Sequence, residues 1–409
     1  MKNYSEALKL IQNNVSIIGA EELDTQSANG AIAEDIISSN AVPSFSNSAM
    51  DGYCLNSELT NNASAENPVE LPIKGIIFAG DEPPSNIKDS EAYEIMTGSK
   101  MPDELDTVLP VEKGELIEKE GSKFLVLNEP IKKDLNVRKS GEDFKKDELI
   151  LSKGALINDH RKIALVMNHK KTIRVFKNPG IGILTTGNEL DGTSAASVPN
   201  TNGPFLESSV QSMGLECLKN LHAGDDLNQI IDQIQKIKNS GANLILTSGG
   251  VSAGKADFIP AALTQMGAEM LFHKLWIRPG KPVLMAKFPD GQIVFGLPGN
   301  PVSVAVGFRF LAAQAIRILQ GRALEKPIVS KNSISYKKSE KFCLFAKAIA
   351  RVDEDGQIHT EVMSGQESFK VKPFRDANCW AMIPEGIETI KKGETISIYP
   401  LSDDGNIAF

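Results

Sequence analysis

The hydrophobic rhythm of the chain changes twice. Near the start, Ala7, Leu8 and Ile11 recur at helical spacing and predict a short amphipathic helix over Tyr4–Asn14. A second apolar segment covers residues 30–37. From about residue 56 to 136 the apolar runs are short and broken by Gly and Pro: VELPIKGIIFAG, AYEIMTG, DTVLPVE and KFLVLNEP. That pattern predicts a small β domain. Strands over 147–158 and 172–176, with a helix over 159–168 between them, return the chain to the module that holds its N-terminus. The β domain therefore reads as an insertion.

From 179 to about 321 the rhythm becomes regular. Strands IGILTT, LECLKNL, ANLILT and QIVFGL alternate with helical stretches over 203–212, 227–239, 257–266 and 302–320. Such alternation predicts a parallel sheet with helices on its faces. Past about residue 327 the helical period fades. There NSISYKK, FCLFAKAIARV, CWAMIPEG and ETISIYPL read as strands of another small β domain.

Three of the sheet strands run into polar, Gly-rich loops: IGILTTGNEL, LILTSGGVSAGKAD and FGLPGNPVSVAV. Parallel strands deliver such loops to one edge, where ligands bind. In the last of them Asn300 suits the helix N-cap and Pro301 the first helical position. Free N–H groups at that helix start make a seat for an anion. Between the third and last strands, HKLWIRPGKP places Lys274, Arg278 and Lys281 within eight residues. Cations beside such loops point to phosphate recognition. The plainer reading is exposed charge on an edge segment.

Composition narrows the picture. A chain of 409 residues is too long for one ordinary core and predicts two to four domains. The net charge of −8 argues against a general nucleic-acid binder, while leaving room for a local basic pocket. Cys54, Cys217, Cys343 and Cys379 form no CxxC pair, and the five histidines are scattered. Reduced thiols and no zinc site are expected. MKNYSEALKL lacks an apolar signal core, and no apolar run reaches membrane-spanning length. The expectation is a soluble, cytoplasmic protein with no nucleic-acid or membrane partner.

Two further runs carry candidate chemistry. PSFSNSAMDGYC crowds small polar residues around Asp51, and RKSGED sets two cations and two acids around a glycine. A surface Asp-Gly turn and a solvated charged turn are the plainer readings of these runs.

Seven motifs stand in one order along the chain: PSFSNSAMDGYC, IMTGSKMP, RKSGED, TTGNEL, TSGGVSAGKAD, IRPGKP and FGLPGNPVS. In that order they resemble the molybdopterin molybdenumtransferase family, which includes bacterial MoeA and the E domains of plant and animal homologues. One motif alone is weak, but seven in register are specific. The resemblance implies a multidomain α/β and β fold. It comprises a central MogA-like parallel-sheet α/β domain, an inserted small β domain, a C-terminal β-barrel and an elongated N-terminal linking domain. The expected boundaries are 1–45 with 140–176 for the linking domain, 46–139 for the insertion, 177–325 for the α/β domain and 326–409 for the barrel. Family members are homodimers that insert molybdate into adenylylated molybdopterin in the presence of Mg²⁺, releasing AMP. Other cofactor-biosynthesis proteins and apo-molybdoenzymes are the implied protein partners.

Carried over motif by motif, the resemblance implies catalytic roles for Asp51, Thr97, Asp143, Glu189, Asp225 and Asp257. Glu189 and Asp257 would also bind Mg²⁺. Asn47, Ser48, Arg138, Ser248, Gly249, Gly250, Ser252, Lys274, Arg278, Lys281, Pro298, Gly299, Asn300, Pro301 and Ser303 would contact the substrate. The residue types suit the task. An adenylate anhydride and a molybdate are anions that call for cations and N–H dipoles, and Mg²⁺ calls for hard oxygen ligands. Three positions depart from the common pattern. Ser46 and Asn188 stand where Asp is usual, and Arg278 stands where Lys is frequent. Two alternatives remain at this stage: a molybdopterin adenylyltransferase, and a non-catalytic pterin-binding or scaffold paralogue.

Overall fold

A computed structural model describes residues 1–190, 197–251, 258–402 and 407. The chain forms two units, Glu22–Ile173 on the one hand and Met1–Glu21 with Arg174–Phe409 on the other.

The Glu22–Ile173 unit holds a six-stranded sheet in the order Thr107–Pro110, Gly52–Leu55, Ala92–Ile95, Val69–Ile77, Ser122–Leu127, Glu115–Lys119. Its neighbours are antiparallel except for Val69–Ile77 with Ala92–Ile95, which are parallel. Successive side chains of a strand point to opposite faces. Accordingly Tyr53 and Leu55 join one core with Leu71 and Leu125, while Cys54 joins another with Ile77, Ile95 and Val108. This is the small β domain that the broken apolar runs predict. The helix expected next is Asp159–Met167, its N-terminus capped by Asn158, whose side-chain oxygen accepts the Arg161 N–H at 2.9 Å. The strand expected over 147–158 is shorter, Leu149–Leu151, paired with Ile36–Ile37. A turn interrupts it: the Ala155 N–H bonds to Ser152 O, and Gly154 adopts φ +82°.

In the other unit the four predicted strands are present as parallel neighbours, in the order Cys217–Ala223, Ile181–Thr186, Leu244–Ser248, Ile293–Leu297. Two more strands, Leu284–Lys287 and Glu269–His273, extend the sheet antiparallel. Leu284–Lys287 reaches Ile293–Leu297 through the turn Phe288-Pro-Asp-Gly, closed by the Gly291 N–H to Phe288 O bond. So short a link permits only a hairpin. Helices Asn202–Ser212, Leu227–Asn239 and Ile259–Gln265 follow their strands as the alternation predicts.

The helical stretch from Pro301 to Leu319 is long and apolar enough to cross a membrane, but 89% of its most apolar window is buried inside the protein. It is a core helix, with one π turn at Phe308–Ala312. A single core links it to the sheet through Phe295 and Leu297, to the N-terminal helix Tyr4–Asn14 through Ala7 and Ile11, and to the C-terminal strands through Phe345 and Trp380. Phe310 stacks on Phe345 with ring centroids 3.9 Å apart, and Tyr4 meets Phe345 edge-on at 5.0 Å.

The C-terminal strands close on themselves. Cys343–Val352, Ile358–Val362, Ile328–Asn332, Thr395–Pro400 and Cys379–Ile383 pair in that order, and the last pairs back to the first. Leu344, Ala346, Ala348 and Ala350 share its interior with Ile383 and Ile398, the small alanines suiting a narrow barrel. Ile328–Asn332 and Ile358–Val362 are not predicted by the apolar pattern. They place polar groups in the interior, where Ser330 Oγ and Thr360 Oγ1 are hydrogen-bonded at 2.7 Å, and so lack a clear hydrophobic period.

Candidate active site

The carboxyl ends of the parallel strands carry a linked set of polar loops. After Ile181–Thr186 the chain turns at Gly187, with φ +135°. A Cβ there would lie 2.3 Å from a carboxylate oxygen of Glu189, so only glycine lets that carboxylate fold back over the turn. Asn188 and Asp225 interlock. The Asn188 N–H donates to the Asp225 carboxylate at 3.3 Å, and the Asp225 N–H donates to the Asn188 side-chain oxygen at 3.0 Å. After Leu244–Ser248, Gly249 and Gly250 adopt φ +94° and +62°. A Cβ on Gly249 would meet the Thr186 carbonyl oxygen at 2.6 Å, which is why this loop packs so closely on its neighbour.

The Pro298–Pro301 turn joins this set. Asn202 donates to Ser248 Oγ at 2.9 Å and to Gly299 O at 2.7 Å, tying three loops together. Asn300 is the N-cap residue and Pro301 takes the first helical position, as expected. The Asn300 side chain does not cap, however. It donates to Ser368 Oγ at 3.0 Å, and the Val302 N–H donates to Ser368 O at 3.3 Å. The C-terminal barrel therefore supplies the cap that the sequence assigns to Asn300.

On the barrel side of that turn lies a cavity of about 890 Å³. Arg278, Lys281, Pro298, Asn300 and Ser303 line it from the α/β domain, and Tyr336, Lys337, Lys338, Phe342, Gln366 and Ser368 line it from the C-terminal region. Four cations against one acid, Glu367, make it an anion site. Aromatic rings back two of the cations: the Arg278 guanidinium lies 5.1 Å from the Phe342 ring centre and the Lys281 ammonium 5.7 Å from that of Trp276. Burial lowers the pKa of Lys338, with its neighbours Cys343, Glu385 and Glu340 opposing.

In the Glu22–Ile173 unit, Asp51 precedes the strand Gly52–Leu55 and Thr97 follows Ala92–Ile95. These strands are antiparallel neighbours, which brings the two residues together. The Thr97 N–H and hydroxyl both donate to one Asp51 oxygen, each at 2.7 Å. Those two bonds hold the Asp51 carboxyl below its ordinary pKa, the N–H more than the hydroxyl. Asn47 and Ser48 form a buried two-residue strand paired with Val137–Arg138, and the side-chain oxygen of Asn47 has no hydrogen-bond partner among the described residues. RKSGED is a charged turn, in which the Lys139 N–H bonds to the Glu142 carboxylate at 2.8 Å. Arg138 and Asp143 are exposed on it.

The structure thus gathers Glu189, Asp225, Ser248, Gly249, Gly250 and Gly299 at the strand ends, and Arg278, Lys281, Pro298, Asn300 and Ser303 around the cavity. Pro301 starts the helix below them, and Lys274, half-buried at φ +67°, is not part of the cavity lining. Ser252 and Asp257 lie outside the described residues. Asn47, Ser48, Asp51, Thr97, Arg138 and Asp143 belong to the other unit. Sequence reasoning missed Asn202 and the whole barrel contribution. Its one visible signal is the pair Lys337-Lys338, which reads locally as the polar end of a strand.

An α/β domain with converging strand-end loops, joined to a barrel that adds cations to the same turn, defines a protein built to hold an anionic ligand. Comparison with known proteins is consistent with this. Residues 2–168 match the MoeA N-terminal region (domain I and II), residues 182–318 a probable molybdopterin binding domain, and residues 331–401 the MoeA C-terminal region (domain IV). A molybdopterin molybdenumtransferase of Staphylococcus aureus is 31% identical over 407 residues, covering 98% of this chain and 95% of that one. One from Synechococcus elongatus is 29% identical, covering 98% and 99%. The crystal structure of a molybdopterin biosynthesis MoeA protein from Pyrococcus horikoshii superposes with a TM-score of 0.82 at 27% identity, covering 98% and 99%. The chain belongs to the molybdopterin molybdenumtransferase family.

Proposed function

We propose that the protein is a molybdenum cofactor biosynthetic enzyme that transfers molybdenum from molybdate to adenylylated molybdopterin, with Mg²⁺ present and AMP released. Family membership supports the transferase class. The observation that carries the chemistry is the cavity with four cations beside the Pro298–Pro301 turn. A tetrahedral oxyanion and the phosphates of an adenylate both need such a lining. The strand-end loops, tied to the same turn through Asn202, suit the nucleotide end of the substrate. Cleavage of the anhydride breaks one P–O bond. The attacking water gives its oxygen to phosphorus and a proton to a base, and AMP leaves with the bridging oxygen.

Glu189 offers a hard carboxylate oxygen at a strand end. Such a donor suits Mg²⁺, which takes one or two protein carboxylates and completes its shell with phosphate oxygens and water. Glu189, with Asp257, would hold it, and the ion would neutralise charge on the phosphate. The two Thr97 bonds favour the ionised form of the Asp51 carboxyl and orient it as a hydrogen-bond acceptor, at some loss of basicity.

The expected homodimer is part of this reading. Ile163, Val166 and Met167 stand exposed on the helix Asp159–Met167, an apolar stripe suited to a second copy of the chain. The domain division of the sequence reading and a cytoplasmic location with four free cysteines belong to it as well.

The test is a defined assay with adenylylated molybdopterin, molybdate and Mg²⁺, reading both AMP release and reconstitution of an apo-molybdoenzyme. Both signals are expected to depend on molybdate. AMP release without reconstitution, or adenylate formation from ATP and molybdopterin alone, would reject the reading.

A further inference from the structure

The strand Cys343–Val352 has an unusual face. Its odd-numbered residues point out of the barrel, where Cys343 and Phe345 pack into the α/β core. The next in the row is Lys347, a lysine with no exposed surface. A buried cation needs acceptors in place of water. Lys347 Nζ donates to the carbonyl oxygens of Gly365 at 2.6 Å, Lys370 at 3.1 Å and Glu367 at 3.2 Å. All three belong to one segment, and all three ammonium protons are used.

The same strand residue grips the segment a second way. The Lys347 N–H donates to the Gln366 side chain at 2.9 Å, the Gln366 amide returns a bond to Lys347 O at 2.8 Å, and the Met363 N–H adds another to Lys347 O at 3.0 Å. The segment held in this way is the barrel-side wall of the cavity: residues 363–369 line it, whereas Lys347 does not. Through Ser368 the wall reaches the Asn300 side chain and the Val302 N–H.

We infer that Lys347 is a positioning residue of the anion cavity, whose buried ammonium fixes the 363–370 segment and, through Ser368, sets the Pro298–Pro301 turn. The inference rests on the reading of this cavity as the oxyanion site. Charge-assisted bonds to three carbonyls give the wall one shape before ligand arrives, and a preformed wall avoids an ordering cost on binding.

The test compares the full-length protein with Lys347→Met, which keeps the stem and removes the three donors. Backbone hydrogen exchange is read at Val302, Met363 and Lys370, and molybdate binding by titration calorimetry. Exchange should quicken at those amides while the sheet stays protected, and molybdate should bind about tenfold more weakly, a loss of about 1.4 kcal/mol. In the transfer assay the KM for molybdate should rise more than kcat falls. If Lys347→Met does not fold, Lys347→Gln decides, since it replaces the three ammonium donors with a shorter, neutral amide; the same two changes, smaller, are expected. Unchanged exchange in the folded variant overturns the inference. Quicker exchange with unchanged molybdate affinity also overturns it, because Lys347 would then serve structure only. If the unaltered protein itself binds no molybdate, the reading of the cavity fails, while the exchange data still decide whether Lys347 orders the wall.

Discussion

At the scale of single residues, backbone donors set the charge of a side chain as much as other side chains do. Asp51 is fully exposed, yet two bonds from Thr97 hold its pKa below the ordinary carboxylate value. A depressed folded-state pKa contributes stability above the unfolded pKa and loses it as pH falls through the folded value. Thr97→Val removes the hydroxyl bond and keeps the N–H bond. The Asp51 pKa should therefore rise part of the way to its ordinary value, and the acid limb of the activity profile should move up with it. A carbon-detected NMR titration of the Asp51 carboxyl reads this directly, and an unmoved titration would remove Thr97's hydroxyl from the account. The three departures from the family pattern also find a reading at this scale. Asn188 keeps the side-chain oxygen that accepts the Asp225 N–H, and drops a charge that would face the Asp225 carboxylate. Ser46 keeps an acceptor, taking the Ser140 N–H at 3.3 Å. Arg278 lies over the Phe342 ring, where a planar guanidinium stacks better than an ammonium.

At the scale of elements, tight strand–helix contact decides what the sheet tolerates. Gly182 lies mid-strand in Ile181–Thr186, and a Cβ there would sit 2.1 Å from Ile237 Cγ2 on the helix Leu227–Asn239. Gly182→Ala should destabilise the protein by about 1–3 kcal/mol through overpacking. Urea denaturation would measure it, and the loss should shrink in an Ile237→Ala background, where the clashing methyl is gone. Equal losses in both backgrounds would point to a cause other than this contact. These elements were legible because their periods are clean: Leu227–Asn239 buries Ile230, Ile234 and Ile237 at helical spacing. The strand Ile328–Asn332 was not legible, because its interior residues Ser330 and Asn332 are polar: Ser330 Oγ pairs with Thr360 Oγ1, and Asn332 Nδ2 donates to Lys391 O. The short strand Leu284–Lys287 hid for another reason. At four residues, next to the Pro-rich run Arg278-Pro279-Gly280-Lys281-Pro282, it is too short to show a period of its own.

At the scale of the molecule, the cavity joins residues that stand far apart in sequence. Lys281 and Lys338 line the same space, as do Pro298 and Ser368. Local motifs exposed the α/β half of that lining, whereas the barrel half depends on how the closed barrel packs against the long core helix. Lys281→Ala should weaken molybdate binding several-fold at low salt. The deficit should narrow as ionic strength rises, since screening already weakens the same attraction in the unaltered protein. Calorimetry at two salt concentrations decides it, and a constant deficit would argue for a role other than charge.

Barrel closure also orders events during synthesis. Thr395–Pro400, the last of the five barrel strands in chain order, bonds to both Ile328–Asn332 and Cys379–Ile383. Until it leaves the ribosome, each of those strands presents an unpaired edge, open to a neighbouring nascent chain. The same strand supplies Pro400 O to the buried Arg309 of the core helix at 3.2 Å, beside the paired oxygens of Glu325 at 2.5 and 2.6 Å. The middle of the chain thus waits for one of its latest strands, and a holdase that shields those edges in the interval would raise the yield of folded enzyme more than one acting on the earlier α/β strands.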